Sequence, residues 1–224
     1  METVRTAFRN ECARLDGLLR TLARADLDRP TPCPPWAVRD LVAHVRTGAG
    51  RLVDMLAAPA PPRAEVDAAG YFGAAKFTPE VNAARIDAAR IDAARREARE
   101  PADAAAFTAA WRATDAAVGT QPADRVVRTR HGDAMTLPDF LVTRVVEVGV
   151  HGLDLAVALD REPWLTPTAA AVIAELLTGG RPVPAGLGWD PLTLIRKATG
   201  RASLTARERA VVEAASFRWL AFGG

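Results

Sequence analysis

The chain has 224 residues, of which 49% are hydrophobic, and its 29 basic and 27 acidic residues leave a formal net charge of +2. This length predicts one domain, or one domain with an appendage, with enough apolar residues for a core. The balanced charge argues against nucleic acid as the main partner. The two cysteines provide neither a disulfide framework nor a cysteine-rich zinc site. A metal or acid–base site would therefore use carboxylates and the three histidines, His44, His131 and His151.

The N-terminal segment lacks the apolar core of a secretion signal, because Arg5, Arg9 and Glu11 interrupt it. No apolar run approaches the about 18–20 residues that a membrane-spanning helix requires. We therefore expect a soluble, cytoplasmic protein with no membrane partner. In that compartment both cysteines would be reduced thiols.

The first half of the chain is predicted to be mostly helical. Apolar residues at helical spacing predict a first helix over roughly 3–24 and a second over roughly 36–57. The proline-rich turn at 30–35 separates them, because proline cannot continue a helix. After a long connection, helical patterns return at 79–100, which contains a tandem duplication, and at 102–118.

The second half contains the clearest helix start in the chain. A short strand or loop over 126–135 leads to Thr136, which is placed to cap a helix that extends to about Leu159. A further helix over about 167–178 ends at a pair of glycines. The tail from residue 181 mixes turns with short helical or extended pieces.

A mainly all-α fold, a four-helix bundle with a long crossover in the middle, is predicted from four long helices. These are the helices over about 3–24, 36–57, 102–118 and 136–159. We expect the bundle to occupy residues 1–160. Residues 161–224 would form a short, mixed C-terminal extension packed on it.

Polar side chains follow one face of the fourth bundle helix. Glu147 and His151 are four residues apart and therefore share a face, and Arg144 and Asp154 lie near the same stripe. With His44 from the second helix, a Glu–His pair could provide three metal ligands and leave a fourth position open, as in catalytic zinc sites. The same spacing is also common by chance, so spacing alone leaves open that His44 is a packed or surface histidine.

Two other candidate groups have simpler interpretations. Cys33, between two prolines, could be a thiol nucleophile, but we expect a small packed residue beside a turn. His131 is expected to be a loop residue with no catalytic part.

Three segments carry recognisable motifs. They read RPTPCPPWAVRDLVAHV at 29–45, RVVEVGVHGLDLA at 144–156 and LIRKATGRA at 194–202. The first two resemble the motifs of the mycothiol-dependent maleylpyruvate isomerase family, within the DinB-like metalloprotein superfamily. The third is similar to a weaker C-terminal motif of that family.

The resemblance implies a DinB-like four-helix bundle that binds a divalent metal, usually zinc, and uses mycothiol as its thiol. By motif match, the metal ligands would be His44, Glu147 and His151. Arg144 is expected to bind a substrate carboxylate, with a structural ion pair as the alternative. Asp154 is expected to orient His151 or to hold polar groups of the thiol, with a surface acid or salt bridge as the alternative.

The function that follows is activation of mycothiol or a similar thiol for a small electrophilic substrate. The thiol would be transferred to the substrate, or would assist its isomerisation and be returned. The alternative is a non-catalytic metal-binding helical module or ligand sensor. We expect a monomer or a small homo-oligomer.

The chain departs from the family pattern in two places. Pro35 stands where the family usually has glycine, which stiffens the turn and is expected to reshape the pocket entrance. Residues 161–224 are fewer than the second domain of the characterised isomerases, so the sequence does not assign the substrate of those isomerases to this chain. Fold and family do not fix the reaction.

Overall fold

The computed structural model describes residues 1–73 and 104–221. Within these ranges the chain is mostly helical and contains one two-stranded sheet, which confirms the predicted all-α class. None of the described helices is long and apolar enough to cross a membrane. The helix predicted over 79–100, with its duplication, lies outside the described residues.

The helices and strands are numbered here in chain order. The α-helices of the described ranges are α1 (Glu2–Leu19), α2 (Val38–Gly50), α3 (Leu52–Ala57), α4 (Ala68–Tyr71), α5 (Ala104–Gly119), α6 (Leu137–Ala158), α7 (Pro167–Thr178), α8 (Pro191–Ala198) and α9 (Ala206–Ala214). Strands β1 (Val126–Arg128) and β2 (Ala134–Thr136) pair antiparallel, with Val127 opposite Met135. Short 3-10 helices occupy Arg24–Asp28 and Ala185–Leu187.

Four of the helices form a closed bundle. Both α1 and α2 pack against α5 and α6. Much of the crossover predicted between the second and third bundle helices lies outside the described residues. Each bundle helix contributes fully buried apolar side chains to one core, among them Phe8, Leu41, Phe107 and Leu141. Burying each such side chain stabilises the fold by about 1.5–3 kcal/mol.

The predicted start of α6 is observed at Thr136. Its side-chain oxygen accepts a hydrogen bond from the backbone nitrogen of Asp139 at 3.2 Å. Thr166 caps α7 in the same way, and α7 ends at Gly179, whose φ of 60° lies in the left-handed region that favours glycine. These ends follow from local side-chain chemistry, and for that reason the sequence predicted them closely.

The first two helices are shorter than predicted. Helix α1 ends at Leu19, because the backbone and hydroxyl of Thr21 both donate to the carbonyl of Leu18 and close the last turn. Helix α2 begins at Val38, after Asp40 accepts a hydrogen bond from the backbone nitrogen of Ala37 at 2.9 Å. The predicted second helix is also divided at Arg51 into α2 and α3.

The segment after α6 packs back onto the bundle. Helix α7 lies against α1 and α6, and α8 lies against α7. The buried carboxylate of Glu11 on α1 holds the start of α7, accepting hydrogen bonds from the backbone nitrogen of Thr166 at 2.8 Å and its hydroxyl at 2.7 Å. This packing supports our proposal that residues 161–224 form an extension of the bundle.

Candidate metal centre

The three predicted metal ligands lie together where α2 packs against α6. His44 lies on α2, and Glu147 and His151 lie one turn apart on α6. The Nε2 atom of His44 is 2.5 Å from Oε1 of Glu147, and Nε2 of His151 is 3.8 Å from the same oxygen. One ligand atom from each residue lies within 4.8 Å of the others. Two imidazoles and a carboxylate on facing helices therefore share one small volume.

A glycine permits the two helices to approach closely at this point. Gly48 lies one turn after His44 on α2. A Cβ atom on Gly48 would lie 3.1 Å from Cγ of Glu147 and 3.2 Å from Nη1 of Arg144. Both distances are tighter than ordinary packing, so a larger residue would displace the side chain that carries the candidate carboxylate ligand.

Asp154 fixes the orientation of the His151 ring. Its Oδ2 atom lies 3.0 Å from Nδ1 of His151, and only 2% of Asp154 is exposed. Because an ionised carboxylate only accepts hydrogen bonds, Nδ1 is the donor, and Nε2 is the ring nitrogen that would bind a metal after losing its own proton. Such burial excludes the alternative of a surface acid, whereas the other alternative, a salt bridge, is present with Arg201 beside the contact to His151.

Arg201 holds Asp154 from the C-terminal extension. Its Nη2 donates to Oδ2 of Asp154 at 2.6 Å, and its Nε donates to Oδ1 at 2.9 Å. A third donor, Nη1, bonds the carbonyl of Thr199 at 2.9 Å. The planar guanidinium thus binds the carboxylate through two parallel hydrogen bonds, an arrangement that lysine cannot reproduce.

Cys33 lies at the edge of the same group. Its Sγ donates to Oδ2 of Asp154 at 3.3 Å, and Cys33, His151 and Asp154 form a second set of possible ligand atoms within 4.8 Å of one another. We expected a packed residue beside a turn. The structure does place Cys33 in a turn, where its carbonyl accepts from the backbone nitrogen of Trp36, but the thiol faces polar groups of the site.

Arg144 is buried beside Glu147. Its Nε donates to the hydroxyl of Thr143 at 3.1 Å, and its guanidinium carbon lies 4.9 Å from the centre of the Phe140 ring. Among residues 1–73 and 104–221, no carboxylate forms an ion pair with it. The structural ion pair that was the alternative for Arg144 is thus not seen in this part of the chain.

The third histidine is placed elsewhere. His131 lies in the turn between β1 and β2 and is exposed. It belongs to neither set of possible ligand atoms found among the described residues. This position agrees with the loop residue expected from the sequence.

Comparison with known proteins decides the family. Residues 8–156 match the sequence model of the mycothiol maleylpyruvate isomerase N-terminal domain. The chain belongs to this family. The match confirms the resemblance carried by segments 29–45 and 144–156, and it includes all three candidate ligands. No curated protein matches the sequence.

Two crystal structures of an enzyme with the family's name resemble the fold. One is the mycothiol-dependent maleylpyruvate isomerase, with 16% sequence identity and a TM-score of 0.49. The other is a histidine-to-alanine mutant of a mycothiol-dependent maleylpyruvate isomerase, also with 16% identity and with a TM-score of 0.52. Each likeness covers 80% of this chain and 70% of the other. At this identity the likeness to the mutant structure, whose TM-score exceeds 0.5, shows a shared fold.

Electrostatics in this member of the mycothiol maleylpyruvate isomerase family favour ionised carboxylates at the site. Burial alone would raise the pKa of Glu147, but the charges of His44, Arg144 and His151 and a hydrogen bond from His44 lower it well below its usual range. Burial likewise acts to raise the pKa of Asp154, and the hydrogen bonds from His151 and Arg201 reverse the shift.

The two histidines respond differently to the same surroundings. Burial lowers the pKa of His44, despite its contact with Glu147. Burial also acts to lower the pKa of His151, but hydrogen bonding to Asp154 and Cys33 and the nearby negative charges raise it to about 10. Without a metal, His151 is therefore protonated on both ring nitrogens at neutral pH. Metal binding at Nε2 would displace the proton on that nitrogen.

Two residues contact Asp154 in a way that the sequence did not predict. Arg201 lies in the segment 194–202, whose resemblance to a family motif was the only signal, because 47 residues separate it from Asp154. Cys33 lies 121 residues from Asp154. Contacts over such separations follow from the tertiary fold, and no local pattern in the chain reports them.

Proposed function

We propose that the chain is a metal-dependent enzyme that uses mycothiol or a similar thiol on a small electrophilic substrate. The observation that carries the proposal is the set formed by His44, Glu147 and His151, with ligand atoms within 4.8 Å of one another across α2 and α6. Three protein ligands leave a position for an exchangeable ligand, which is typical of catalytic metal sites. Membership of a family named for mycothiol supports the choice of thiol.

The donor set fits a divalent metal of the zinc type. Imidazole nitrogen and carboxylate oxygen suit zinc, and they also suit nickel, cobalt and iron, so we propose zinc as the first choice. The arrangement of Asp154 behind His151 is the usual outer contact of a histidine ligand. A bound metal supplies Lewis acidity, which favours the thiolate form of a thiol at its open position at neutral pH.

The surrounding residues have separate parts in this proposal. Asp154 keeps the proton of His151 on Nδ1, and Arg201 holds the carboxylate in place. Arg144 carries a buried positive charge, which we assign to binding a carboxylate of the substrate or a polar group of the thiol. Asp154 and Arg201 thus position the site, while Arg144 would contact what enters it.

Two reaction outcomes remain within the proposal. In both, the sulfur of the thiol bonds to an electrophilic carbon of the substrate. The product is a conjugate if this bond persists, and an isomer if the bond breaks again after rotation and the thiol is released. The family name favours isomerisation.

One observation favours a non-catalytic alternative. Cys33 and Asp154 place further possible ligand atoms beside His151. If Cys33 completed the coordination, the site would be closed, as in structural zinc sites. Retention of the metal in a Cys33→Ser variant would exclude this.

Thiol binding tests the proposal. We would measure the midpoint of thermal unfolding of the zinc-loaded and metal-free protein with mycothiol, with glutathione and with neither. We expect mycothiol to raise the midpoint of the zinc-loaded protein and not that of the metal-free protein, since ligand binding to the folded state stabilises it. Zinc-loaded protein that no thiol stabilises would contradict the thiol-using function. Product analysis with maleylpyruvate then separates isomerisation from conjugation.

A further inference from the structure

The two cysteines of the chain differ sharply in their surroundings. Cys12 lies in the bundle core with no exposed surface, and burial raises the pKa of its thiol well above the usual value. Cys33 is partly exposed, and its Sγ lies 3.3 Å from Oδ2 of Asp154. Only the Cys33 thiol can be reached from the candidate site without unfolding.

A buried donor without a partner lies in the same turn. Trp36 is 8% exposed, and the centre of its ring system is 4.7 Å from that of His44. Within the described parts of the chain, its indole Nε1 has no hydrogen-bond acceptor. Buried polar groups are almost always paired, and this donor lies against a candidate metal ligand, so it is available to an acceptor atom of a ligand that enters beside the turn.

We propose that Cys33 is a modification site that takes up one molecule of a low-molecular-weight thiol from that thiol's disulfide. The inference rests on the proposed function, because it takes the thiol-binding region beside His151 as the place where the disulfide docks. The turn that carries Cys33 and Trp36 would then contact both the reduced thiol and its oxidised form.

The exchange is balanced in atoms and electrons. The sulfur of Cys33 forms a bond to one sulfur of the disulfide, and the original sulfur–sulfur bond breaks. The second half of the disulfide leaves as a thiol and takes the proton that Cys33 loses. The sulfur of Cys33 is oxidised, the departing sulfur is reduced, and excess free thiol reverses the reaction.

The attached group would interfere with the metal centre. The ligand atoms of Cys33, His151 and Asp154 lie within 4.8 Å of one another, so a substituent on the sulfur begins beside a candidate metal ligand. It would occupy the volume that the reduced thiol needs. We therefore expect the modification to block thiol binding reversibly.

Mass spectrometry of the full-length, zinc-loaded protein tests this inference. The protein is incubated with mycothiol disulfide or with glutathione disulfide, and the modified peptide is mapped. We expect one added thiol at Cys33 and none at Cys12, several-fold faster uptake from mycothiol disulfide, and removal by excess reductant. Cys12→Ser should take up the same single group, and Cys33→Ser should take up none.

Unfolded protein provides the positive control, since both cysteines should react in denaturant. Modification of Cys12 as fast as Cys33 in the folded protein would overturn the inference, as would an unreactive Cys33. Stabilisation by reduced mycothiol is measured in parallel. If that stabilisation is present but Cys33 does not react, this inference fails and the proposed function stands. If it is absent from unmodified protein, the proposed function fails, and the inference fails with it.

Discussion

Nδ1 of His151 lies 3.0 Å from Oδ2 of Asp154, one turn further along α6. The same carboxylate receives two hydrogen bonds from Arg201, so a residue of the C-terminal extension sets the orientation of a candidate metal ligand in the bundle. The extension that follows α6 is therefore part of the site's architecture.

Replacement of Arg201 tests this connection. We expect Arg201→Gln to weaken zinc affinity about 10–100-fold, the usual effect of removing an outer partner of a metal ligand. Zinc affinity would be measured by competition with a chelator. Arg201→Lys should recover little of the lost zinc affinity, because an ammonium group cannot form the two parallel hydrogen bonds. Arg196→Gln, in the same segment, is the matched control and should bind zinc as the unmodified protein does.

Gly48 offers a test of the close approach between α2 and α6. An added Cβ would meet Glu147 at 3.1 Å, so Gly48→Ala should displace the carboxylate and lower zinc affinity. Gly17→Ala is the control, because nothing lies within 4 Å of a Cβ at that position on α1. Gly17→Ala should raise the free energy of unfolding of the protein by about 0.5–1 kcal/mol, because alanine favours the helix over glycine. Equal zinc affinity in the two variants would contradict the packing argument.

The buried carboxylate of Glu11 predicts a dependence of stability on pH. Burial raises its pKa above the usual value, despite hydrogen bonds from Thr166. Between the unfolded and folded pKa values, the unfolded chain has lost this proton and the folded chain has kept it. The contribution of Glu11 to the free energy of unfolding therefore falls as pH rises through that window.

Glu11→Gln isolates that contribution. The amide can still accept the hydrogen bonds from Thr166 and does not ionise. The variant's free energy of unfolding relative to the unmodified protein should increase as pH rises from 4 towards neutrality, measured by urea unfolding. Glu162→Gln, at an exposed position, should show no such trend. A relative stability of Glu11→Gln that is constant with pH would show that Glu11 does not titrate as proposed.

Arg144 is predicted to recognise negative charge at the site. Its guanidinium has a hydrogen bond to Thr143 and a ring contact with Phe140, and no ion pair within the described ranges. Arg144→Gln should therefore weaken the binding of a small dicarboxylate, such as malonate, to the zinc-loaded protein, as measured by calorimetry. Unchanged malonate affinity in a folded, zinc-loaded variant would assign Arg144 a structural part instead.

Local chemistry made much of the fold predictable. Thr136 and Gly179 mark helix ends through their own side-chain or backbone properties, and both were recognised in the sequence. The end of α1 was misplaced because the apolar pattern continues past Leu19 to Leu22, whereas the bonds of Thr21 stop the helix. Periodicity reports which face is buried and does not report where such a competing bond forms.

The site was predictable to a smaller extent. Spacing placed Glu147 and His151 on one face of α6 and left His44 as one possible partner, which the motif resemblance then selected. The contacts of Arg201 and Cys33 with Asp154 depend on how the extension and the 30–35 turn fold back onto the bundle. The way these segments fold back depends on residues far apart in the sequence, so no local pattern predicts it.

Metal stoichiometry tests the central claim most directly. We would load the purified protein with zinc, remove the excess by dialysis and measure bound metal by mass spectrometry. The unmodified protein and the His131→Ala control should each retain about one zinc per chain, the content of a mononuclear site. His44→Ala and His151→Ala should each fall to near zero. Zinc content that is unchanged in both variants would show that these histidines do not bind the metal.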